Sequence, residues 1–370
     1  MKICIILPSL LGGGAERLHI LLAKEWLTQG HEVDFILLSN SGSEGALNPL
    51  VPKECKVIVL GKKRIRQSLI PLSRIFSKEN YDISITAMWP LTLIPIIAKF
   101  MSSSKTKIII SDHTHLTTSR VHELRVPLIL LKATIGMLYR LADAIVCVSN
   151  GVRDDIVSLG YLKKSSINVI YNPIYNENEL PKPIEKKQEL WSEGIKHKLL
   201  AVGSLTVQKN FSTLIQAFSM LNPLTQESSE LIILGEGPQR ELLQKLIKSF
   251  KLENRIKLAG FKLDPSPWFA TADLFILSSS WEGFGNVIVE ALHHRLPVVS
   301  TDCNSGPREI LADGRFGILV DKDNTWSLSV AIEESLRSNH DLESLYNRSQ
   351  DFTIQKASKS YIMLFNSLIK

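Results

Sequence analysis

Short apolar runs bounded by glycine or polar residues alternate with longer amphipathic segments along almost the whole chain. Such runs predict strands, whereas apolar residues at intervals of three and four predict helices. Strands are predicted at residues 2–7, 31–38, 81–87, 107–111, 144–148, 169–173, 198–202, 230–234, 256–258, 274–279, 297–300 and 317–320. Helices are predicted at residues 15–29, 61–78, 90–100, 126–141 and 342–370. A further helix is predicted to begin near residue 286 and to end before the strand at 297–300. This alternation is typical of α/β domains built on parallel sheets.

The length of the chain sets the expected number of domains. At 370 residues it exceeds what one hydrophobic core usually sustains, so two domains are expected. Residues 176–197 are polar, charged and contain prolines, a composition that predicts a linker. We therefore expect one domain over residues 1–175 and a second over residues 198–352.

Composition excludes several classes of protein. Apolar residues make up 44% and charged residues 22% of the chain, and no run of about 20 apolar residues predicts a membrane span. The N-terminal apolar run is too short for a signal peptide and is interpreted as the first strand. The scattered cysteines, Cys4, Cys55, Cys147 and Cys303, predict neither disulfides nor a zinc site, and this favours the cytoplasm.

Charge is divided unevenly along the chain. Residues 1–175 contain 21 Lys and Arg and 13 Asp and Glu, a net charge of +8, whereas the remainder contains 22 and 24, a net charge of −2. The basic residues are not interleaved with aromatic ones, so nucleic-acid binding is not expected. Lys62, Lys63, Arg64 and Arg66 open an amphipathic segment. That segment is either a helix on an anionic membrane surface or an ordinary surface helix packed on its own domain.

Glycine-containing turns follow predicted strands in both domains. A run of three glycines that includes Gly13 and Gly14 precedes the first helix, whose amides can bind phosphate. The consecutive glycines, and the lack of an acid after the second strand, argue against a dinucleotide-binding fingerprint. In the second domain Gly203 and Ser204 follow a strand, and Lys209 can reach an anion from the same loop.

The stretch 278–311 carries the strongest indication of chemistry. A buried strand leads into a turn with Gly283 and Gly285, and a helix begins near Asn286. Glu282 precedes this helix and Glu290 lies about one turn inside it, so the two carboxylates can meet opposite ends of an extended ligand. Phosphates would lie near the helix amides between them. The alternative is two solvated acids at a helix start, which the helix dipole also favours.

Two histidines follow the strand predicted at residues 107–111. His113 and His115 lie at the carboxyl end of that strand, where ligands bind in open α/β sheets. His113 is the first candidate for a hydrogen bond to a hydroxyl and for proton transfer near neutral pH, and His115 is the second. The alternative is a loop histidine without a role. A metal site would need further ligands that the sequence does not place, so no metal is expected.

The strings GGGAER, QKN and EGFGNVIVEA, in that order along the chain, resemble the family-4 retaining glycosyltransferases, which have the GT-B fold. The resemblance covers nearly the whole chain. It implies two doubly wound Rossmann-like α/β domains that face each other across a cleft, the first binding the acceptor and the second the nucleotide sugar. It also implies that a last helix, residues 353–370, crosses back to the first domain.

By the same resemblance Glu290 holds the nucleotide ribose, Glu282 the transferred sugar and Lys209 the diphosphate. The family pattern has an arginine where this chain has Ser204, so one cation of the expected phosphate clamp is missing. The catalytic candidates are therefore His113, Lys209 and Glu282. The donor-binding candidates are Gly13, Gly14, Gly203, Ser204, Lys209, Gly235, Phe261, Gly283, Phe284, Gly285, Asn286 and Glu290, and the acceptor or membrane side is assigned to Lys62, Lys63, Arg64, Arg66 and His115.

The implied activity is a metal-independent transfer with retention at the anomeric carbon. A hexose or N-acetylhexosamine would move from a UDP-sugar to a hydroxyl of a lipid-linked or lipopolysaccharide-type glycan. The nucleotide sugar is a co-substrate, and no cofactor is expected. An anionic membrane surface is a further expected partner, which places the protein in the cytoplasm on the inner face of the membrane. Two alternatives stay open: a GDP-sugar donor, or a nucleotide-sugar-binding protein with weakened catalysis.

Overall fold

The computed structural model describes residues 1–11, 13–39, 47–181 and 190–369, and the chain divides into two compact units. Unit 1 consists of Met1–Glu177 together with Phe352–Lys370, and unit 2 consists of Asn178–Asp351. Residues 182–189 of the predicted linker, and the first glycine of the predicted glycine turn, lie outside the described residues.

Unit 1 is built on a seven-stranded parallel sheet with the strand order β3-β2-β1-β4-β5-β6-β7. The strands are β1 (Lys2–Leu7), β2 (Glu32–Leu37), β3 (Val57–Val59), β4 (Ile83–Ala87), β5 (Lys107–Asp112), β6 (Ala144–Cys147) and β7 (Ile167–Val169). The helices are α1 (Gly14–Thr28), α2 (Leu69–Glu79), α3 (Leu93–Phe100), α4 (Leu116–Ser119), α5 (Leu128–Leu138) and α6 (Asn150–Gly160). Short 3-10 turns lie at Asn48–Leu50, Ile65–Ser68, Tyr139–Leu141 and Lys164–Ser166, and a π-helical turn at Arg120–Leu124.

Unit 2 is built on a six-stranded parallel sheet with the order β10-β9-β8-β11-β12-β13. The strands are β8 (His197–Val202), β9 (Ser229–Leu234), β10 (Ile256–Leu258), β11 (Leu274–Leu277), β12 (Val298–Thr301) and β13 (Ile318–Val320). The helices are α7 (Phe211–Ser219), α8 (Pro223–Ser228), α9 (Arg240–Ser249), α10 (Ser266–Phe269), α11 (Asn286–His293), α12 (Pro307–Ile310), α13 (Thr325–Arg337) and α14 (Leu342–Ser349). A 3-10 turn, Gln350–Phe352, and helix α15 (Ile354–Ile369) follow.

Helix α15 belongs to the core of unit 1, although it follows unit 2 in the sequence. Tyr361 and Phe365, which are almost fully buried, pack their rings edge-on against Trp26 of α1 at centroid distances of 5.7 and 5.3 Å. Because three aromatic side chains bury a large apolar area, this contact stabilises the first core.

The predicted fold class, two doubly wound α/β domains, is confirmed by these sheets, and most predicted strands lie within two residues of observed ones. The strand predicted at residues 169–173 was wrong. The strand that pairs with β6 is Ile167–Val169, and the residues after it leave the sheet. The predicted helix over residues 342–370 is two helices separated by the turn at Gln350–Phe352. The short edge strand Val57–Val59 and helix α13 were not predicted.

Candidate functional site

The candidate site of unit 2 lies where the strand order of its sheet reverses. Strands β8 and β11 are neighbours in the sheet, whereas the helices that follow them pack on opposite faces of a doubly wound sheet. The loops after these two strands therefore meet at a topological switch point, which is the usual ligand site of such sheets. The loop after β8 carries Lys209, and the loop after β11 carries Glu282.

A buried ion pair joins the two loops. The Lys209 Nζ lies 2.5 Å from Glu282 Oε1, and Ser279 Oγ donates a hydrogen bond to the same carboxylate oxygen at 2.7 Å. The exposed fractions of the two charged side chains are only 16% for the lysine and 7% for the glutamate. The interpretation of Glu282 as a solvated acid at a helix start is therefore wrong. A cation and an acceptor are held together at the predicted place.

Backbone contacts fix the relative position of the two loops. Ser278 Oγ donates to the Lys209 carbonyl at 2.9 Å, and Ser305 Oγ donates to the Glu282 carbonyl at 2.6 Å. The Ser280 amide donates to the Gln208 carbonyl at 2.8 Å. Two of these hydrogen bonds tie the loop after β8 to the loop after β11, and the Ser305 hydroxyl ties the loop after β11 to the loop after β12.

Glycines are required where neighbouring backbones come closest. Gly235 has a φ of +143°, and a Cβ there would lie 1.9 Å from the carbonyl oxygen of Gly203. Gly306 has a φ of +92°, and a Cβ there would lie 1.8 Å from the carbonyl oxygen of Phe284. Both the steric conflict and the left-handed conformation of Gly306 exclude other residues.

Helix α11 begins at Asn286, as predicted, after Gly285 in the left-handed conformation at φ +98°. Asn286 and Glu290 are half-buried, whereas Gly283 and Phe284 are buried. Glu290 thus lies one turn into the helix and keeps contact with solvent.

The other predicted donor residues of unit 2 differ in exposure. The aliphatic part of Lys209 lies against Gly203, since a Cβ on that glycine would be 3.1 Å from the lysine Cγ. Ser204 is exposed beside it, and Phe261 is 57% exposed after β10. Among the described residues, neither of these two is hydrogen bonded to Lys209 or Glu282.

An Asp-x-Asp sequence, Asp321-Lys322-Asp323, lies near this site, so the expectation that the chain has no such motif was wrong. Asp323 Oδ1 accepts hydrogen bonds from Asn210 Nδ2 at 2.8 Å and from Ser280 Oγ at 3.1 Å. The described ranges contain no group of three or more His, Cys, Asp and Glu side chains placed to hold a metal. Metal independence stays a prediction, and this exposed acidic pair makes its test necessary.

In unit 1, the first glycine turn is covered by a side chain of its own helix. Gly13 is the N-cap of α1 and Gly14 its first residue, one residue earlier than predicted. A Cβ at Gly13 would lie 2.1 Å from Glu16 Oε2, so this buried carboxylate lies against the backbone of the turn. Burial raises the pKa of the Glu16 carboxyl. The sequence showed Glu16 only as one letter of the GGGAER string.

His113 lies against a second histidine, His19, which is not among the predicted site residues. His113 Nε2 lies 2.9 Å from Ser111 Oγ, and its ring centroid lies 5.4 Å from that of His19 in α1. His19 is fully buried and its Nδ1 lies 2.7 Å from the Ala15 carbonyl oxygen, to which it donates. Burial lowers the pKa of His19 to about 4, and burial together with His19 lowers the pKa of His113 well below its usual value. Both imidazoles are therefore neutral at physiological pH.

A second polar cluster lies on the other side of β5. The Asp112 carboxyl is buried and accepts a hydrogen bond from the Tyr139 hydroxyl at 3.1 Å. Burial and, to a smaller extent, the charge of Asp155 raise the pKa of Asp112 to about 7 against the lowering effect of the tyrosine hydrogen bond. His115 Nδ1 lies 3.5 Å from Asp155 Oδ2, so His115 is held by a neighbouring carboxylate.

The helix predicted over residues 61–78 is wrong at its start, because residues 61–64 precede the turn at Ile65–Ser68 and helix α2 begins only at Leu69. Its apolar side chains Leu72 and Phe76 are buried, and α2 packs against α3. The apolar face of this segment therefore packs within unit 1, which agrees with the interpretation as an ordinary surface helix. Lys63, Arg64 and Arg66 are exposed and Lys62 is half-buried, so charge is what this segment offers to an anionic surface.

Two family models match the chain in succession. "Glycosyltransferase Family 4" matches residues 12–177, and "Glycosyl transferases group 1" matches residues 182–352. Together the two models span both units, and the chain belongs to this family of glycosyltransferases. The predicted resemblance is confirmed.

Curated relatives carry related names. The chain is 35% identical over 206 residues to the N-acetylgalactosamine-N,N'-diacetylbacillosaminyl-diphospho-undecaprenol 4-alpha-N-acetylgalactosaminyltransferase of Campylobacter jejuni, a match over 55% of this chain and 54% of that relative. The match therefore spans about half of that relative's length. An uncharacterized glycosyltransferase of Methanocaldococcus jannaschii is 27% identical over 96% of this chain and 93% of its own length. The lipopolysaccharide core biosynthesis glycosyltransferase LpsE of Rhizobium meliloti is 30% identical over 60% of this chain and 63% of its length.

Solved structures share the fold. HepE of Anabaena, solved in complex with UDP, superimposes with a TM-score of 0.82 at 21% identity and covers 99% of this chain and 100% of its own. The lipopolysaccharide outer core galactosyltransferase WaaB gives a TM-score of 0.75 at 20% identity over 100% and 99% of the two chains. At these identities the likeness establishes the GT-B fold.

Proposed function

We propose that this protein transfers a sugar from a nucleotide diphosphate donor to a hydroxyl of a lipid-linked or lipopolysaccharide-type glycan. The donor is a UDP-sugar, a hexose or an N-acetylhexosamine, and the anomeric configuration is retained. The observation that carries the proposal is the Lys209–Glu282 pair at the switch point of unit 2. The names of the relatives, which include a diphospho-undecaprenol transferase and a lipopolysaccharide core transferase, support the acceptor class.

Each member of the pair has a role in the proposed reaction. The Lys209 ammonium has three N–H donors, so it can keep its contact with Glu282 and still donate to a diphosphate oxygen. Its charge would stabilise the negative charge that develops on the leaving nucleotide diphosphate. The second oxygen of Glu282 would accept a hydrogen bond from a hydroxyl of the transferred sugar, and Glu290 would accept from the ribose.

His113 would act in this reaction as a neutral imidazole. Because burial and His19 lower its pKa, it would serve as a hydrogen-bond partner for a sugar hydroxyl and not as a cation. The contact of His113 with the sugar is part of this proposal and rests on its position at the carboxyl end of β5.

Nucleotide binding is the first test of the proposal. Thermal unfolding is measured with UDP, GDP, ADP and dTDP, each with magnesium and with a chelator, because a ligand that binds the native state raises the midpoint. The proposal expects a shift with UDP that magnesium does not change. A shift with GDP would assign the donor to GDP-sugars, and a shift that requires magnesium would contradict metal independence.

Transfer itself needs a second assay, which also addresses the weakened-catalysis alternative suggested by Ser204. Release of UDP from a UDP-sugar is followed with and without a lipid-linked acceptor, and the anomeric configuration of the product is read by NMR. An inverted product would refute retention. A protein that binds UDP but releases none above the rate of Glu282→Gln would be a binding protein.

A membrane surface is the proposed location of the acceptor. In α5, Leu131 and Ile135 are buried, whereas Ile129 is 79% and Met137 65% exposed. An apolar helix face that faces solvent, with the exposed Arg140 beside it, suits the interface of an anionic bilayer. Within the described residues, every helix is too short or too polar to cross a bilayer.

Co-sedimentation with vesicles tests this surface. Met137→Glu should reduce binding to vesicles that contain phosphatidylglycerol, because it places a charge in the apolar face. Met363→Glu is the matched control, since Met363 of α15 is also 65% exposed. Equal effects of the two variants, or binding that does not depend on anionic lipid, would contradict the proposal.

A further inference from the structure

A groove on unit 2 is not used by the donor site. It has a volume of about 660 Å³ and runs along α13 toward the α7–α8 connection. Trp326, Val330 and Glu334 line it from the helix, and Met220 and Asn222 line it from the connection. A volume of this size suits a small ligand or part of a chain.

The groove begins at the functional edge of the sheet. Helix α13 starts at Thr325, two residues after Asp323, which is hydrogen bonded by Asn210 and Ser280 of the loops around the ion pair. The helix follows β13, so its N-terminus lies on the side of the sheet where the parallel strands end. Trp326 therefore stands at the edge that carries Lys209 and Glu282.

One end of the groove is an exposed aromatic platform. Trp326 is 64% exposed, and Met220 and Val330 beside it are 49% and 42% exposed. The flat indole has a negative face, which attracts the slightly positive C–H groups on one face of a pyranose ring. Three partly exposed side chains fall well short of the roughly 800 Å² per partner that a stable protein interface buries. A small flat ligand fits the platform better than a second protein.

The other end is polar and already ordered. Glu333 Oε1 accepts from the Asn222 amide at 2.7 Å, and Glu333 is also paired with Arg337. These contacts hold the carboxylate while Glu334 and Ser338 line the groove beside it. Carboxylates and hydroxyls are acceptors for sugar hydroxyls. Two acids against one arginine leave this end with a net charge of −1, which disfavours anionic glycans.

We propose that this groove is a second carbohydrate site, which binds an uncharged pyranose chain with one ring stacked on Trp326 and its hydroxyls bonded to the acidic end. The site is separate from the donor-binding residues of unit 2. It would hold a neighbouring part of a glycan while transfer takes place elsewhere, so that longer glycans remain bound between transfers.

Binding to oligosaccharides tests the proposal on the full chain. Maltoheptaose and N-acetylglucosamine hexamer are the uncharged probes, oligogalacturonate is the anionic probe, and affinity is measured by calorimetry. Trp326→Ala should weaken binding of at least one uncharged probe by about fivefold or more, as the loss of an aromatic contact implies. Oligogalacturonate should bind no better than either uncharged probe.

Controls separate this site from the donor site and from folding. Phe100→Ala, which removes a side chain of unit 1 that is 68% exposed, should leave oligosaccharide affinity unchanged. Val330→Glu should repeat the loss by closing the groove without changing the indole. The UDP-induced thermal shift should be equal in the wild type and in Trp326→Ala. UDP binding therefore tests the donor site separately from oligosaccharide binding in the groove.

Three results would overturn the inference. One is oligosaccharide affinity that both groove variants leave unchanged, and another is the absence of binding by the wild type at tens of millimolar. The third is a dimer on size exclusion that Trp326→Ala dissociates, because that result would assign the face to a second copy of the chain.

Discussion

Removing one charge of the Lys209–Glu282 pair should destabilise unit 2 far more than removing both. Lys209→Met leaves a carboxylate that is 7% exposed without its cation, and Glu282→Gln leaves an ammonium that is 16% exposed without its carboxylate. A buried charge that has lost its partner costs about 3–5 kcal/mol, whereas the double variant leaves neither charge. We expect each single variant to cost about 3 kcal/mol and the double variant about 1 kcal/mol, which corresponds to a coupling energy of about 5 kcal/mol.

The assay is urea unfolding of the three variants, read by hydrogen exchange in peptides of unit 2 so that its transition is separated from that of unit 1. Arg240 and Glu236 provide the matched control, because they form a 2.7 Å pair in the same unit with side chains 34% and 50% exposed. An exposed pair of this kind contributes about 0.3–0.5 kcal/mol. A Lys209–Glu282 coupling energy no larger than that of the control would refute the claim that burial strengthens the pair.

Activity separates the role in catalysis from the role in stability. Glu282→Gln keeps an acceptor for Ser279 and so should remain folded at low temperature. It should still lose transfer by more than tenfold, because the amide provides one acceptor oxygen where the carboxylate provides two. A folded Glu282→Gln protein with more than a tenth of the wild-type rate would remove Glu282 from the site.

Further predictions concern buried groups and glycines. The raised pKa of Asp112, about 7 against 3.8 in the unfolded chain, means that stability is lost as the pH rises from about 4 to 7. The loss in the free energy of unfolding is at most on the order of 4 kcal/mol, and Asp112→Asn should remove it. Urea unfolding of the wild type and the variant at pH 5 and pH 8 measures the difference, and an equal pH dependence of the two proteins would contradict the prediction. His113 should stay neutral between pH 8 and 6 in NMR spectra assigned with His113→Asn, and a titration midpoint near 6.5 would show that burial does not lower its pKa. Gly235→Ala should lower the unfolding midpoint and abolish the UDP shift, because the new Cβ would lie 1.9 Å from the Gly203 carbonyl oxygen. The control is Gly30→Ala, which has a φ of +78° and no atom within 4 Å of the new Cβ, and which should cost only about 1 kcal/mol. Equal effects of the two variants would refute the steric explanation.

The sequence predicted those strands and helices whose ends are marked by a local residue pattern. The apolar run Ile256–Leu258 and the start of α11 at Asn286 were correct to the residue, because glycines and polar residues mark the ends of these elements. The edge strand Val57–Val59 was missed because its three residues are partly exposed and too few to show a pattern. A strand of this kind depends on pairing with β2, which only the tertiary structure supplies.

The site was predicted as a set of residues but not as a set of contacts. Lys209 and Glu282 were both selected, yet their pairing across 73 residues follows from the adjacency of β8 and β11, which local pattern does not encode. His19 was missed because a histidine among apolar helix positions resembles an ordinary core residue. Its contact with His113 arises only when α1 packs on the sheet beside the end of β5.

The return of α15 to unit 1 has a consequence for synthesis on the ribosome. The side chains of Tyr361 and Phe365 complete the core around Trp26, but they are translated after all of unit 2. A chain that emerges from its N-terminus can therefore close the second unit before the first. Until the last helix emerges, the nascent first unit exposes the apolar surface around Trp26, so the unit made first is the one finished last.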